Sequence, residues 1–200
     1  MQKIMIRLLD IVISLVALVM LSPIFLVVAV AVLIDIGPSV FFVQKRLGHN
    51  GKTFNMIKFR SMRNVQLDEL EDTDEELEKV NEYTIKLKND PRITKVGAII
   101  RKTSLDELPQ LINVLFGNMS LVGPRPWVPE EYENFPKEWF SRLETKPGVT
   151  GLAQINGRSD LPMEDIIRCD NEWAKRYSVG FYIEILIKTA LSIVKGKNTY

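Results

Sequence analysis

Residues 11–34 read IVISLVALVMLSPIFLVVAVAVLI, 24 consecutive positions without a charged side chain. As one helix rising 1.5 Å per residue the run would reach roughly 36 Å, enough to cross the hydrocarbon of a bilayer. A cleaved signal peptide would have a shorter apolar region and a small-residue cleavage pattern, and neither is present, so the run is read as a lasting membrane element. Its midpoint carries Ser22-Pro23. Pro23 cannot donate to the carbonyl four residues earlier, and Ser22 beside it offers a hydroxyl to nearby freed carbonyls, so the sequence permits a sharp bend. Lys3 and Arg7 precede the run and Lys45, Arg46 and Lys52 follow it, so both flanks ask for the cytoplasmic side. Two readings stay open on the residues alone: a kinked transmembrane helix, or two half-helices that return the chain to its starting face.

Outward from this segment, 200 residues with 46% apolar side chains suit one domain with a membrane appendage: residues 1–37 as the membrane helix and 38–200 as the rest. A net charge of +1 gives no reason to expect nucleic acid. Cys169 is the single cysteine, which rules out an internal disulfide and a cysteine-based metal cluster. Residues 39–47 and 52–62 are rich in Phe, Val and Ile around the turn-prone Gly48-His49-Asn50-Gly51, which predicts a β-hairpin with His49 as a turn residue. The acidic stretch 68–82 places Leu70, Leu77 and Val80 at roughly helical spacing and is expected to be a surface helix. Leu108, Leu111, Ile112 and Leu115 recur at helical spacing before Gly117-Asn118, a C-cap signal. Ile183, Leu186, Ile187, Ala190, Leu191 and Val194 form a second stripe before Gly196, expected on the core ahead of the membrane surface. The intervening region, broken by Pro and Gly, reads as long loops carrying Arg125, Thr150, Gln154 and Arg158. The fold class is α+β, mainly helical with a small β-hairpin.

Asp106 and Glu107 stand before the helix of Leu108 to Leu115, where unpartnered N–H groups would favour an anion. Ser104 with Glu107 three residues on is also a capping box, so capping and catalysis compete equally here. Pro109 weighs against a helix opening at Ser104, because it would then meet the carbonyl of Leu105 inside the helix. On the catalytic reading one carboxylate attacks phosphorus and its neighbour holds Mg²⁺, a hard ion that takes few protein oxygens. Arg101, Lys102 and Arg125 are the nearest cations for gripping phosphate oxygens.

Taken together, Ser22-Pro23, Lys58-Phe59-Arg60-Ser61-Met62, the block 101–123 containing Leu105-Asp106-Glu107-Leu108-Pro109, Gly123-Pro124-Arg125-Pro126 and the stretch 146–158 resemble the bacterial sugar transferases called monotopic phosphoglycosyl transferases. The likeness runs from the N-terminal segment to about Lys195. It implies that Ser22 and Pro23 bend a re-entrant helix hairpin that never crosses, with interfacial amphipathic helices and a catalytic domain on the cytoplasmic face of the bacterial inner membrane. It implies that Asp106 attacks the β-phosphate of a UDP-sugar, releases UMP and forms an aspartyl phosphosugar that polyprenyl (undecaprenyl) phosphate then takes up. Glu107 would be the Mg²⁺ ligand, Arg101 and Arg125 would hold phosphate, Lys58 would lie near the site, and Gln154 and Arg158 would border nucleotide or sugar. The implied role is the first membrane step of glycoconjugate assembly, with the bilayer as a further partner.

Two positions depart from the resemblance: Tyr182 stands where the family usually has Asp, and the acidic segment 65–89 is long. The small size resembles members that use N-acetylated UDP-sugars. A competing reading of another class is a non-enzymatic membrane anchor whose charged segments recruit a protein, with Asp106 and Glu107 only capping a helix.

Overall fold

The computed structural model describes residues 1–64, 77–81, 84–87, 90–132, 135–157 and 161–194. The apolar run is two helices, α1 (Gln2–Met20) and α2 (Ser22–Ile36), which meet at a bend of 64°. The bend has the cause the sequence suggests: Ser22 Oγ donates to the Val19 carbonyl at 2.8 Å, the acceptor that Pro23 leaves without its helical partner. No single helix among the described residues is long and apolar enough to cross a membrane, and the bent pair passes that test only jointly.

Neither arm stands away from the body. In α1, Ile6 is buried and the Arg7 guanidinium caps the end of the following central helix by donating to the carbonyls of Val114 and Leu115 at 2.5 and 2.6 Å. Asp10 is buried as well. Its Oδ1 accepts from Leu121 N at 2.8 Å, Ser120 Oγ at 3.0 Å and Tyr182 Oη at 2.9 Å, so one oxygen of a carboxylate just ahead of the apolar run has three donors. In α2, Val28 and Val32 pack with Phe59 and Ile100, and Phe25 sits 4.7 Å from the Phe59 ring. Asp35 Oδ2 ends the arm by accepting from Val96 N at 3.1 Å.

The predicted hairpin is β1 (Phe41–Leu47) against β2 (Thr53–Phe59), antiparallel from Phe41↔Phe59 to Leu47↔Thr53, with His49 in the turn. Next comes a correction. Leu77–Asn81 is a strand, β3, paired antiparallel with β4 (Thr84–Leu87), where helical spacing predicts a surface helix. Thr84 and Ile85 supply a β-branched partner strand, and a spacing argument over three apolar residues does not weigh that pairing. The rest of the expected helix, with Leu70, lies outside the described residues.

Helix α3 (Lys95–Lys102) is capped by Thr94, whose Oγ1 accepts from Gly97 N at 3.0 Å. It leads through a 3₁₀ turn, Leu105–Glu107, into α4 (Gln110–Phe116), which ends on Gly117 at φ 83° as the C-cap signal predicts. The loop-rich region is punctuated by short elements: β5 (Ser120–Val122), α5 (Pro129–Tyr132), a 3₁₀ segment (Lys137–Glu144), β6 (Gly148–Thr150) and α6 (Leu152–Asn156). β5 and β6 pair in parallel, Ser120↔Gly148 and Val122↔Thr150. Gly123 and Gly148 are dictated by this pairing, since a Cβ on Gly148 would come within 2.1 Å of Gly123 N.

Helix α7 (Met163–Lys175) closes a small core with Trp127, Phe135 and Trp139, and α8 (Val179–Val194) completes the main one. The face of α8 is the second correction. Phe181, Tyr182 and Ile185 are buried, whereas Ile183, Ile187, Ala190 and Leu191, four residues of the predicted core stripe, are exposed and Leu186 is only partly covered. The helix is apolar on nearly every side, so spacing alone does not choose a face; the hydrogen bond from Tyr182 to Asp10 does.

Candidate active site

The site is assembled from the hairpin, the end of α3, the 3₁₀ turn and the loop after β5. Strand alternation puts Lys58 in the row of Phe54 and Met56, which face the core, so its ammonium reaches inward at the sheet's end. There Nζ meets Glu107 Oε1 at 2.9 Å. Arg125 Nη1 approaches the same oxygen at 3.3 Å. Asn113 of α4 locks the hairpin in register with the site: its Oδ1 accepts from Ile57 N at 3.0 Å and its Nδ2 donates to Asn55 O at 2.7 Å.

Arg125 is held by its backbone. The Arg142 guanidinium donates to the Arg125 carbonyl at 2.8 Å, pairs with Asp170 at 2.8 Å and stacks 3.4 Å over the Trp127 ring, with both charged side chains only 2% exposed. Gly148 N donates to Pro124 O at 2.9 Å and Leu47 N to Trp127 O at 2.9 Å, so the loop is tied to β6 on one side and β1 on the other.

The capping box, one of the two readings open in the sequence, is absent. Ser104 takes a left-handed backbone, φ 57°, and its side chain makes no cap bond, while Pro109 is the N-cap of α4. The free amides expected at the helix start are mostly spent on carbonyls: Glu107 N on Ser104 O, Leu108 N on Leu105 O, Leu111 N on Leu108 O, Ile112 N on Pro109 O. An anion here is therefore held by side-chain cations rather than by the helix terminus.

Those cations are abundant. Asp106 and Glu107 lie on the wall of a cavity of about 460 Å³, whose described lining includes Arg46, Lys58, Arg60, Arg63, Arg92, Arg101 and Arg125. Seven positive side chains against two negative ones make a site for a polyanion, and the volume suits a nucleotide-sized ligand. Arg60 lines the cavity, and its Nε is buried with no hydrogen-bond partner among the described residues. Burial, and then the neighbouring Glu107 charge, push the Asp106 carboxyl up to about 6, with Lys58, Arg101 and Arg125 pulling the other way. At neutral pH it is mostly ionised yet more basic than an ordinary aspartate.

Among the described residues no cluster of three or more His, Cys, Asp or Glu could cage a metal. Two adjacent hard carboxylates beside cations nonetheless fit Mg²⁺, which binds through one or two protein oxygens, waters and substrate phosphates.

Of the predicted site residues, Lys58, Arg101, Asp106, Glu107 and Arg125 come together around the cavity. Lys102 is exposed and outside its lining. Gln154 is buried in α6 and does not line it either, and Arg158 lies outside the described residues. Sequence reasoning missed Arg46, Arg60, Arg63 and Arg92 as lining residues and Arg142 as the clamp on Arg125; the acid-free basic run from Gln44 to Arg63 was a signal for the first three, and Arg92 and Arg142 had none.

A helical body with a bent apolar helix pair and a cationic cavity around adjacent acids has the charge pattern of a site for phosphate-bearing ligands. The sequence model of the bacterial sugar transferase family matches residues 1–196, and the chain belongs to that family. It is 45% identical to the undecaprenyl-phosphate galactose phosphotransferase of Salmonella typhimurium over 97% of this chain and 41% of that protein. It is 38% identical to the exopolysaccharide production protein ExoY of Rhizobium meliloti, over 96% and 86%, and 39% identical to the UDP-glucose:undecaprenyl-phosphate glucose-1-phosphate transferase of Escherichia coli, over 96% and 40%. The chain thus spans about two fifths of the two relatives named as undecaprenyl-phosphate enzymes and most of ExoY.

Proposed function

We propose that this protein transfers a sugar 1-phosphate from a UDP-sugar to a polyprenyl phosphate, releasing UMP, as the first membrane step of polysaccharide or other glycoconjugate assembly. The observation that carries this reading is the acidic pair set in a seven-cation cavity; the relatives' names supply the substrate classes. An Asp106 carboxylate oxygen attacks the β-phosphorus, the bond from that phosphorus to the bridging oxygen breaks, and UMP leaves with the bridging oxygen and its electron pair. An oxygen of the lipid phosphate then attacks the same phosphorus, the bond to Asp106 breaks and the carboxylate is restored. Lys58, Arg101 and Arg125 offset the charge that gathers on the phosphate oxygens in both steps. Glu107, beside Asp106, would hold Mg²⁺, which when bound supplies further charge neutralisation for the phosphates.

The bent helix pair is the membrane element, and it is read as re-entrant. Both arms lie on the same charged body, α1 through Arg7 and Asp10 and α2 through Asp35 and the Phe59 cluster, so that body anchors both ends on one side. With the 64° bend shared equally, each arm would stand about 58° from the membrane normal and descend roughly 12–15 Å, about half of the hydrocarbon thickness. The exposed outer residues Leu15, Val19, Met20 and Leu26, with Ile183, Ile187 and Leu191 of α8, supply the lipid-facing surface. The catalytic face is then cytoplasmic, where UDP-sugars are made.

The test is UMP release from a panel of UDP-sugars in the presence of polyprenyl phosphate. The relatives' names carry galactose and glucose, so UDP-galactose and UDP-glucose lead the panel, ahead of the N-acetylated sugars. Lipid-dependent UMP release with one of them is the expected result. Release of sugar phosphate to water without a lipid requirement, or no release with any donor, overturns the reading.

A further inference from the structure

Resting on that reading, we propose that Phe42 is the residue that receives the isoprenoid chain of the acceptor as its phosphate enters the cationic cavity. In the hairpin register Phe42 lies directly opposite Lys58, and paired residues of antiparallel strands share a face. By the same alternation Phe42, Gln44 and Arg46 form one row beside Lys58, and all four line the cavity. The row therefore grades from cation to amide to aromatic ring. Phe42 ends the row with 44% of its surface exposed, and Lys58, paired with it across the hairpin, reaches Glu107 at 2.9 Å.

The position of this end of the row identifies its occupant. The preceding residue, Phe41, is 6.0 Å from Phe25, which lies one turn past the Ser22-Pro23 bend, so the start of β1 sits at the deepest level of the helix pair. Phe42 therefore stands next to the apolar helix pair, which the re-entrant reading places among acyl chains. A ligand that meets the exposed Phe42 ring and the Lys58 ammonium beside it on one face combines a hydrocarbon chain with an anionic head. UDP-sugar has no such tail; polyprenyl phosphate does.

The two half-reactions separate this role from the rest of the site. Phe42→Ala should still release UMP and form the Asp106 adduct with acceptor withheld, with a smaller loss there than in the second half-reaction. Discharge of that adduct by long-chain polyprenyl phosphate should show a KM raised about tenfold, the effect of losing one partly buried aromatic contact. Discharge by a five-carbon isoprenyl phosphate, too short to rest on the ring, should be unchanged, and Phe42→Leu should recover much of the long-chain KM. Because Phe42 is half exposed, the Ala variant keeps its fold, and retained UMP release reports this. An unchanged KM for the long acceptor, or an equal loss in both half-reactions, overturns the role of Phe42. Failure of wild type to release UMP overturns instead the transferase reading beneath it.

Discussion

Tyr182 and Asp10, 172 residues apart in sequence, share a hydrogen bond of 2.9 Å in a site from which water is excluded. It joins α8 to α1 and sets which face of α8 is core. Tyr182→Phe keeps the ring and removes one of the three donors to Asp10, which should lower stability by ~1–2 kcal/mol. Thermal unfolding in detergent micelles checks this, and UMP release below the transition should stay near wild type.

The chemical step should follow the Asp106 carboxyl. The rate of adduct formation with acceptor withheld should rise with pH through a midpoint near 6 and level off above it. Because folding raises this carboxyl from 3.8, the stability it contributes is full below 3.8 and lost as pH rises through about 6. Asp106→Asn should therefore abolish turnover while melting no lower than wild type at pH 8, with a gain of at most ~3 kcal/mol. Substantial turnover by this variant would remove Asp106 as nucleophile.

How much of this was legible in the sequence depends on how local each determinant is. The Ser22-Pro23 bend, the β1–β2 hairpin and the Gly117 cap rest on neighbours within a few residues, and all three are where the sequence puts them. The acidic pair was ambiguous because a capping box uses the same residue types at the same spacing; the left-handed Ser104 backbone, its missing cap bond and the helix start at Pro109 remove the cap. The buried face of α8, the Arg142 clamp and the cavity lining from Arg63 and Arg92 depend on residues brought together over long separations, which no periodicity encodes.

Arg125 presents its guanidinium to Glu107 from a loop fixed at both ends, so its geometry should matter more than its charge. Arg125→Lys should lower kcat/KM by at least about tenfold, since an ammonium cannot reproduce a planar fork on phosphate oxygens. Steady-state UMP release checks this; wild-type kinetics would leave Arg125 as a loop residue.

Removing the clamp should be felt in stability first. Arg142→Ala leaves Asp170 buried without its cation and strips the contact over Trp127, a loss of about 3–5 kcal/mol. Denaturant unfolding checks this. A double variant, Arg142→Met with Asp170→Leu, should recover much of the stability while leaving the Arg125 carbonyl without its donor, so its KM for the UDP-sugar should stay raised.

The membrane arrangement is tested at the bend. If both arms rest on one body, residues 3 and 45 lie on the same side, so single cysteines placed there in a Cys169→Ser background should both be shielded from a membrane-impermeant thiol reagent applied to intact cells. Cys169 is buried, and its replacement removes the single competing thiol. Replacing Ser22 with Ala and Pro23 with Leu restores the hydrogen bond to Val19 O within the helix and removes the cause of the 64° turn. A straight run of roughly 36 Å then favours crossing. The opposing force is the set of bonds from Arg7 and Asp10 to the body, each of which would have to break for the N-terminus to leave it. The variant should therefore give partial labelling at position 3 and none at position 45, and labelling should rise further when Asp10 is also changed to Ala. Full labelling of position 3 in the otherwise wild-type chain would mean that α1 crosses, and the re-entrant arrangement would be wrong even with the enzymology intact.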